Sequence, residues 1–219
     1  MKRLFDIILS VLGIVILFPV FVILIILVSC TSHGGPFFCG PRVGKKGKIF
    51  KIIKFRSMKA NCEGKGAWNI SEKDPRVTKI GLFLRKSKLD ELPQLFNIFV
   101  GQMSFVGPRP ELQYYVDMYT DEEKAILDNK PGMTDWASIV NAEQIVEFTN
   151  AQNADEAYLY YIRPLKIKLQ LHYCYHNNLL VDLKCILWTF WKLISRTKKV
   201  PQEIRAIVDS YQKERKLDS

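Results

Sequence analysis

The sequence lacks the cysteine pattern of a cross-linked domain. Its five cysteines, Cys30, Cys39, Cys62, Cys174 and Cys185, are odd in number, widely spaced and contain no Cys-x-x-Cys pair, so nothing suggests a disulfide framework or a cysteine-based zinc site. A reducing, cytoplasmic setting fits best. Cys30, His33 and Cys39 lie near one another in sequence, but no convincing fourth ligand follows, and metal binding there is set aside. Charge is missing altogether from Ile7 to Ser32. No small-x-small cleavage pattern follows that apolar run, which argues against a removable signal peptide. Internal repeats and low-complexity tracts are also missing.

The 219 residues suffice for one compact domain plus an anchor, and 48% hydrophobic content argues against disorder. A net charge of +10 points to anionic partners: nucleic acid, lipid headgroups or phosphorylated substrates. From Ile7 to Val28 a helix would extend roughly 33 Å, enough to span a bilayer. Pro19 stands in the middle of it, where a missing N–H and a ring clash favour a kink. Lys2 and Arg3 precede the run, and Arg42, Lys45, Lys46 and Lys48 follow it, so both ends read as cytoplasmic. A helix broken at Pro19 that re-enters the same side satisfies both flanks; an ordinary span with a tolerated proline is the commoner form.

Beyond the anchor, glycines and prolines from Gly34 to Gly47 mark turns before the β-like run Ile49 to Phe55, which suggests a small hairpin. Asn61 to Asp74 reads as a polar loop carrying Trp68. Helices are expected from about Thr78 to Lys86 and from Asp90 to Val100, the second with Leu92, Leu95, Phe96 and Phe99 on a core-facing side and Gly101 as its stop. Thr120 and Glu123 form a capping-box pattern for a helix ending before Pro131. Leu179 to Ile194 is apolar at helical spacing with a basic end, which suits a membrane surface or a core. A last amphipathic helix after Pro201 carries Ile204, Ile207, Val208 and Tyr211.

Two clusters carry candidate chemistry. Arg42, Lys45, Lys46, Lys48, Lys51, Lys54, Arg56 and Lys59 suit phosphate, although a solvated basic surface explains them too. Asp90-Glu91 precedes Leu92-Pro93-Gln94, where Asp90 at an N-cap would place Pro93 in the first helical turn. Acidic residues at a helix start are usually caps. Arg85 before the pair and Gly107-Pro108-Arg109-Pro110 after it supply guanidinium groups, however, and carboxylates beside arginines suit phosphoryl transfer.

These motifs resemble the bacterial sugar transferase family, the monotopic polyprenol-phosphate phosphoglycosyl transferases. The resemblance rests on Lys2-Arg3 with Asp6 before a proline-broken helix, Gly40-Pro41-Arg42-Val43-Gly44, Lys54-Phe55-Arg56-Ser57-Met58 and Asp74-Pro75-Arg76-Val77-Thr78. It continues through Leu84-Arg85-Lys86, Leu89-Asp90-Glu91-Leu92-Pro93-Gln94-Leu95 and Val106-Gly107-Pro108-Arg109-Pro110. It implies an α+β protein, mostly helical with a few short strands. Residues 1–32 would form a proline-kinked re-entrant membrane helix, 33–200 a cytoplasmic catalytic domain with interfacial amphipathic helices, and 201–219 a C-terminal amphipathic helix. By the same resemblance Asp90 attacks the sugar-bearing phosphate of a UDP-sugar, UMP leaves, and polyprenol phosphate resolves a covalent phosphosugar intermediate. Glu91 partners Asp90 near Mg²⁺, Arg109 binds phosphate, and Arg85, Lys54 and Arg56 belong to the same electrostatic pocket.

The implied setting is the cytoplasmic face of a bacterial inner membrane, with UDP-sugar, polyprenol phosphate and membrane lipid as partners, no nucleic acid, and room for a homo-oligomer. Gln102 stands where the family usually has an acidic residue. Pro131-Gly132-Met133-Thr134-Asp135-Trp136-Ala137-Ser138 and Asn141-Ala142-Glu143 also depart from the family's Pro-Gly-Ile-Thr-Gly-Trp-Ala-Gln and Asn-Gly-Arg, so no sugar is assigned. The competing readings are a lipid-linked glycosyl transferase that releases UDP and a membrane-tethered binder of anions or nucleic acid.

Overall fold

The computed structural model describes residues 1–32, 34–60, 76–140, 158–195 and 199–217. His33, the loop holding Cys62 and Trp68, the Asp74-Pro75 part of its motif, and Asn141-Ala142-Glu143 lie outside them. The chain forms two compact units, Met1–Ser104 with Pro110–Asp117 and Phe105–Arg109 with Met118–Ser219. The described elements are mostly helical with four short strands, the α+β composition expected.

The first unit opens with α1 (Lys2–Ile16) and α2 (Phe18–Thr31), bent by 63° where they meet. Pro19 lies in the first turn of α2, where its missing N–H breaks no bond within that helix, and Leu17 takes the non-repeating conformation between the two. The break therefore falls where the sequence placed it. Among the described residues no single helix is long and apolar enough to cross a membrane, while this bent pair passes that test together.

The two helices face the wrong way for a water-soluble surface. Asp6 and Ser10 are buried, whereas Leu4, Ile8, Leu12, Val15, Ile16 and Phe18 are exposed. Inside the unit, Ser104 Oγ donates to Asp6 Oδ1 at 3.0 Å, and Arg3 donates to the carbonyls of Ile98 and Phe99, each at 2.6 Å. The Arg3 bonds fasten α1 to the end of α4 (Gln94–Phe99). Phe21, Leu24 and Val28 of α2 bury against the rest of the unit, where Phe21 meets the rings of Phe55 and Phe96 at 5.8 and 5.7 Å between centroids.

Strands β1 (Phe37–Val43) and β2 (Ile49–Phe55) pair antiparallel through a tight turn, with Phe37 opposite Phe55 and Val43 opposite Ile49. The expected hairpin is present, although its first strand runs through the Gly40-Pro41 pair. After β2, Met58 bridges to Val77 and the Ser57 carbonyl accepts from Thr78 N–H. Helix α3 (Lys79–Ser87) then starts with Thr78 as its cap, whose hydroxyl accepts from Gly81 N–H at 3.0 Å.

The second expected helix is shorter than its sequence pattern. Residues Leu89–Glu91 form a 3₁₀ turn after Lys88, which adopts a left-handed conformation at φ 58°, and α4 begins only at Gln94. Asp90 is therefore not an α-helix N-cap. The burial also differs from expectation: Leu95 is buried, but Phe96 and Phe99 are exposed, and Gln94, Asn97 and Ile98 fill the inward side. Asn97 explains the polar choice, because its amide accepts from Ile53 N–H at 2.9 Å and donates to Lys51 O at 2.8 Å, bonding laterally to β2. The unit's last element is α5 (Gln113–Val116).

In the second unit β4 (Gly132–Thr134) pairs with β3 (Ser104–Val106), a sheet not anticipated from sequence. Thr120 and Glu123 make both bonds of the capping box, at 3.3 and 3.1 Å, yet the segment Glu123–Asp128 that follows is 3₁₀ rather than α. Helices α6 (Trp136–Val140), α7 (Arg163–His176) and α9 (Gln202–Leu217) build the core, with Trp136, Leu165, Leu169, Ile204, Val208 and Tyr211 buried. Helix α8 (Leu179–Ser195) buries Asp182 and Cys185 and exposes Leu180, Leu187, Phe190, Trp191 and Ile194. That outward apolar side corrects the alternative of a core helix.

Candidate functional site

The acidic pair sits where three local structures of the first unit meet. The turn carrying Asp90 and Glu91 packs against both β2 and α3. Each of the two residues is only 7% exposed. Burying adjacent carboxylates is unfavourable unless cations or hydrogen-bond donors compensate them. Lys54 at the end of β2 provides compensation: its Nζ lies 2.9 Å from Glu91 Oε1.

Arg85 approaches from the last turn of α3, where its Nε donates to Ser57 Oγ at 2.9 Å. Ser57 lies two residues past the end of β2, so one short stretch positions Lys54 by the strand and Arg85 through Ser57. Arg56 behaves differently. Its guanidinium donates to the carbonyls of Gly35 and Phe37 at 3.1 and 2.9 Å, tying the entry of β1 to the exit of β2. These two bonds hold the hairpin together at its open end. The structure thus groups Lys54 with Glu91, sets Arg85 on the adjoining helix, and turns Arg56 toward the hairpin.

Arg109 belongs to the second unit. The segment leading to it is fixed by backbone bonds: Gly107 N–H to Thr134 O and Gly132 N–H to Pro108 O, both 3.0 Å. Tyr173 hydroxyl reaches Val106 O at 3.2 Å and the buried Asp182 carboxylate at 2.6 Å. Burial and that carboxylate hold the phenol far above its ordinary pKa, so Tyr173 stays a hydrogen-bond donor. Arg109 N–H donates to Asp135 Oδ2 at 3.1 Å.

Asp135 was visible in sequence only as a departure from the family pattern. In the structure it is fully buried and accepts three hydrogen bonds, from Arg109 N–H, from Ser138 N–H at 2.7 Å and from Gln170 Nε2 at 2.9 Å. It caps the start of α6 and holds the main chain at Arg109. Gln102, the other noted departure, accepts from Asn97 Nδ2 at 2.7 Å. A carboxylate there would offer the same acceptor, so this bond survives the change to an amide.

Among the described residues no group of three or more His, Cys, Asp or Glu side chains is arranged to hold a metal. Two adjacent carboxylates nevertheless fit Mg²⁺, which takes one or two protein carboxylates and completes its octahedron with water and substrate phosphates. Asp90 and Glu91 are the residues that would hold it.

Fold and site together define a small α+β protein with an outward-apolar bent helix pair and a buried acidic pair beside cationic side chains. Residues 1–196 match the bacterial sugar transferase family, and the chain belongs to that family of transferase enzymes. It is 32% identical over 203 residues to the exopolysaccharide production protein ExoY of Sinorhizobium fredii, covering 86% of this chain and 83% of that one. It is 33% identical over 197 residues to the UDP-N-acetylgalactosamine-undecaprenyl-phosphate N-acetylgalactosaminephosphotransferase of Aeromonas hydrophila, covering 89% of this chain and 44% of the relative. Identity reaches 40% over 142 residues with the UDP-glucose:undecaprenyl-phosphate glucose-1-phosphate transferase of Escherichia coli, covering 64% and 31% respectively. The chain thus spans less than half the length of the latter two relatives.

Proposed function

We propose that this chain transfers a sugar phosphate from a UDP-sugar to polyprenol phosphate, an early membrane step of bacterial glycan assembly. The observation that carries the reading is the buried Asp90-Glu91 pair with Lys54 at 2.9 Å from Glu91, in the same unit as the apolar bent helix pair. The names of the relatives support the donor and acceptor classes.

In this reading an Asp90 carboxylate oxygen attacks the sugar-bearing phosphorus of the donor. The bond from that phosphorus to the bridging oxygen breaks, and UMP leaves with the bridging oxygen and its electron pair. A phosphate oxygen of polyprenol phosphate then attacks the same phosphorus and expels Asp90, giving polyprenyl-diphosphate-sugar and restoring the carboxylate. Lys54 offsets the charge of Glu91. Mg²⁺ held by Asp90 and Glu91 would supply charge neutralisation for the donor's phosphates. Arg109, Arg85, Lys54 and Arg56 are the phosphate-binding candidates, and exclusion of water strengthens such interactions.

The bent pair would enter one leaflet and return, leaving the catalytic residues on the cytoplasmic face of the inner membrane. Its exposed leucines, isoleucines and phenylalanine suit lipid, and its buried Asp6 and Ser10 suit contact with protein. Nucleic acid has no part in this reading, and self-association is compatible with it.

The test is to identify the nucleotide released when purified protein is given UDP-sugars, polyprenol phosphate and Mg²⁺. UMP is expected; UDP would assign a glycosyl transferase instead. Donor labelled in its sugar phosphate should leave label on the wild-type protein and none on Asp90→Asn. Substantial turnover by that variant would remove Asp90 from the nucleophile role, and salt-sensitive polynucleotide binding unaffected by it would favour the binding-protein alternative.

A further inference from the structure

The inward side of α4 holds two amides with opposite circumstances. Asn97 uses its oxygen and its nitrogen within the protein, on Ile53, Lys51 and Gln102. Gln94 is 1% exposed, and neither its Oε1 nor its Nε2 has a hydrogen-bond partner among the described residues. An amide buried in that state lowers stability, and an apolar side chain of the same shape would avoid the loss. Burial alone does not call for an amide at this position.

Its position is informative. The 3₁₀ turn Leu89–Glu91 leads through Leu92 and Pro93 into α4, joined by the bonds Leu92 N–H to Leu89 O, Leu95 N–H to Leu92 O and Phe96 N–H to Pro93 O. Gln94 thus follows the acidic pair by three and four residues, at the start of the helix that leaves its turn. All three residues are buried. An amide with one acceptor and two donors left over suits a ligand that offers both kinds of group within a few ångströms, as a phosphoryl oxygen beside a sugar hydroxyl does.

We infer that Gln94 is a substrate-contacting residue whose carboxamide hydrogen-bonds the sugar-phosphate portion of the donor during its transfer to the acidic pair. The inference rests on the proposed function and deepens it. Nε2–H donates to an oxygen of the transferred phosphoryl group, and Oε1 accepts from a hydroxyl of the attached sugar. The fold retains an unsatisfied amide because those bonds form only with substrate present, a familiar reason for a local sacrifice of stability at a functional site.

The experiment uses the full chain in lipid with Gln94→Met and Gln94→Leu, and reads two quantities. The urea midpoint of unfolding should stay unchanged or rise. The rate at which labelled sugar phosphate loads onto the protein, without acceptor, should fall about 10-fold or more, the scale of losing a hydrogen bond to a charged group. Loading within twofold of wild type would overturn the inference, and is the outcome if an ordered water satisfies the amide. Failure of both variants to fold would overturn it as well, because the amide would then be making bonds the fold requires. A wild-type chain that never takes label sinks the proposed function itself, whereas labelled wild type with equally labelled Gln94→Met sinks only this inference.

Discussion

Lys54 Nζ and Glu91 Oε1 lie 2.9 Å apart, with side chains 21% and 10% exposed, so the ion pair is largely removed from water. Such a pair is asymmetric in its energetics: removing one partner leaves the other charge stranded, while removing both is nearly neutral. Lys54→Met is therefore expected to destabilise the protein by about 1–3 kcal/mol. The double variant Lys54→Met/Glu91→Gln should recover most of that loss in urea unfolding. Transfer activity should remain low in both. Recovery of activity along with stability would mean that the pair serves only the fold.

The start of α3 supports a second prediction. A Cβ added at Gly81 would lie 1.9 Å from the Ser57 carbonyl oxygen, a main-chain atom that also accepts from Thr78 N–H. Gly81→Ala should cost about 3 kcal/mol, because the backbone itself must move. Thr78→Ala loses the cap bond to Gly81 N–H and a long hydroxyl bond to Ser57 O at 3.4 Å, and should cost about 1 kcal/mol. Both variants loosen the stretch that carries Arg85 against Ser57, so activity should fall in the same order. Equal unfolding midpoints for the two would refute this account of the crossing.

The parts legible in the sequence were those written in local signals. Pro19 marked the helix break, Gly101 the end of α4, Thr78 and Pro201 the helix starts, and the alternation from Ile49 to Phe55 a strand. Lys54, Arg85 and Asp90-Glu91 stood out in the sequence as charged groups, but the pairing of Lys54 with Glu91 joins residues 37 apart and was not written in local signals. What escaped had non-local causes. Phe96 and Phe99 looked like core at helical spacing, but Asn97 occupies the inward side because it bonds laterally to β2. The β3–β4 pair joins segments nearly thirty residues apart, and three-residue strands carry little alternation of their own. Asp135 read as an oddity because its donors come from Arg109, Ser138 and Gln170, none of them adjacent to it.

The bent helix pair gives a topological prediction. With Pro19 in place, single cysteines introduced near Lys2 and near Gly35 should both be modified from the cytoplasmic side by a reagent that does not cross the membrane. Pro19→Ala restores an N–H that the Val15 carbonyl can accept and removes the ring clash, so the 63° bend loses its main cause. A share of that variant should expose one end to the outside. Opposite-side labelling in the wild type would assign a true span and end the re-entrant reading.

Asp135 supports a prediction about the segment that carries Arg109. Asp135→Ala leaves three donors buried without their acceptor and should cost about 2–4 kcal/mol in urea unfolding. Asp135→Asn tests the cause more narrowly, since its NH₂ group must face one of those donors whichever way the amide is turned. A loss approaching that of alanine is expected, together with a raised KM for the donor if Arg109 binds phosphate. An asparagine variant of wild-type stability would show that these three bonds contribute little.

The pH dependence of stability should show the contribution of His172. Its ring stacks on that of His176 with centroids 4.5 Å apart, and burial together with that neighbouring imidazole holds its pKa below the ordinary 6.5. Above that value the side chain is neutral in both folded and unfolded chains and adds no slope. As pH falls through 6.5 the unfolded chain binds the proton first, so the equilibrium moves toward unfolding until the folded-state pKa is passed. His172→Gln removes the difference between the two states. Unfolding free energies measured at about pH 7.5 and about pH 5.5 should therefore converge more for the variant than for wild type. Parallel pH profiles would mean that this histidine titrates alike in both states, and the acid sensitivity would then belong to the carboxylates.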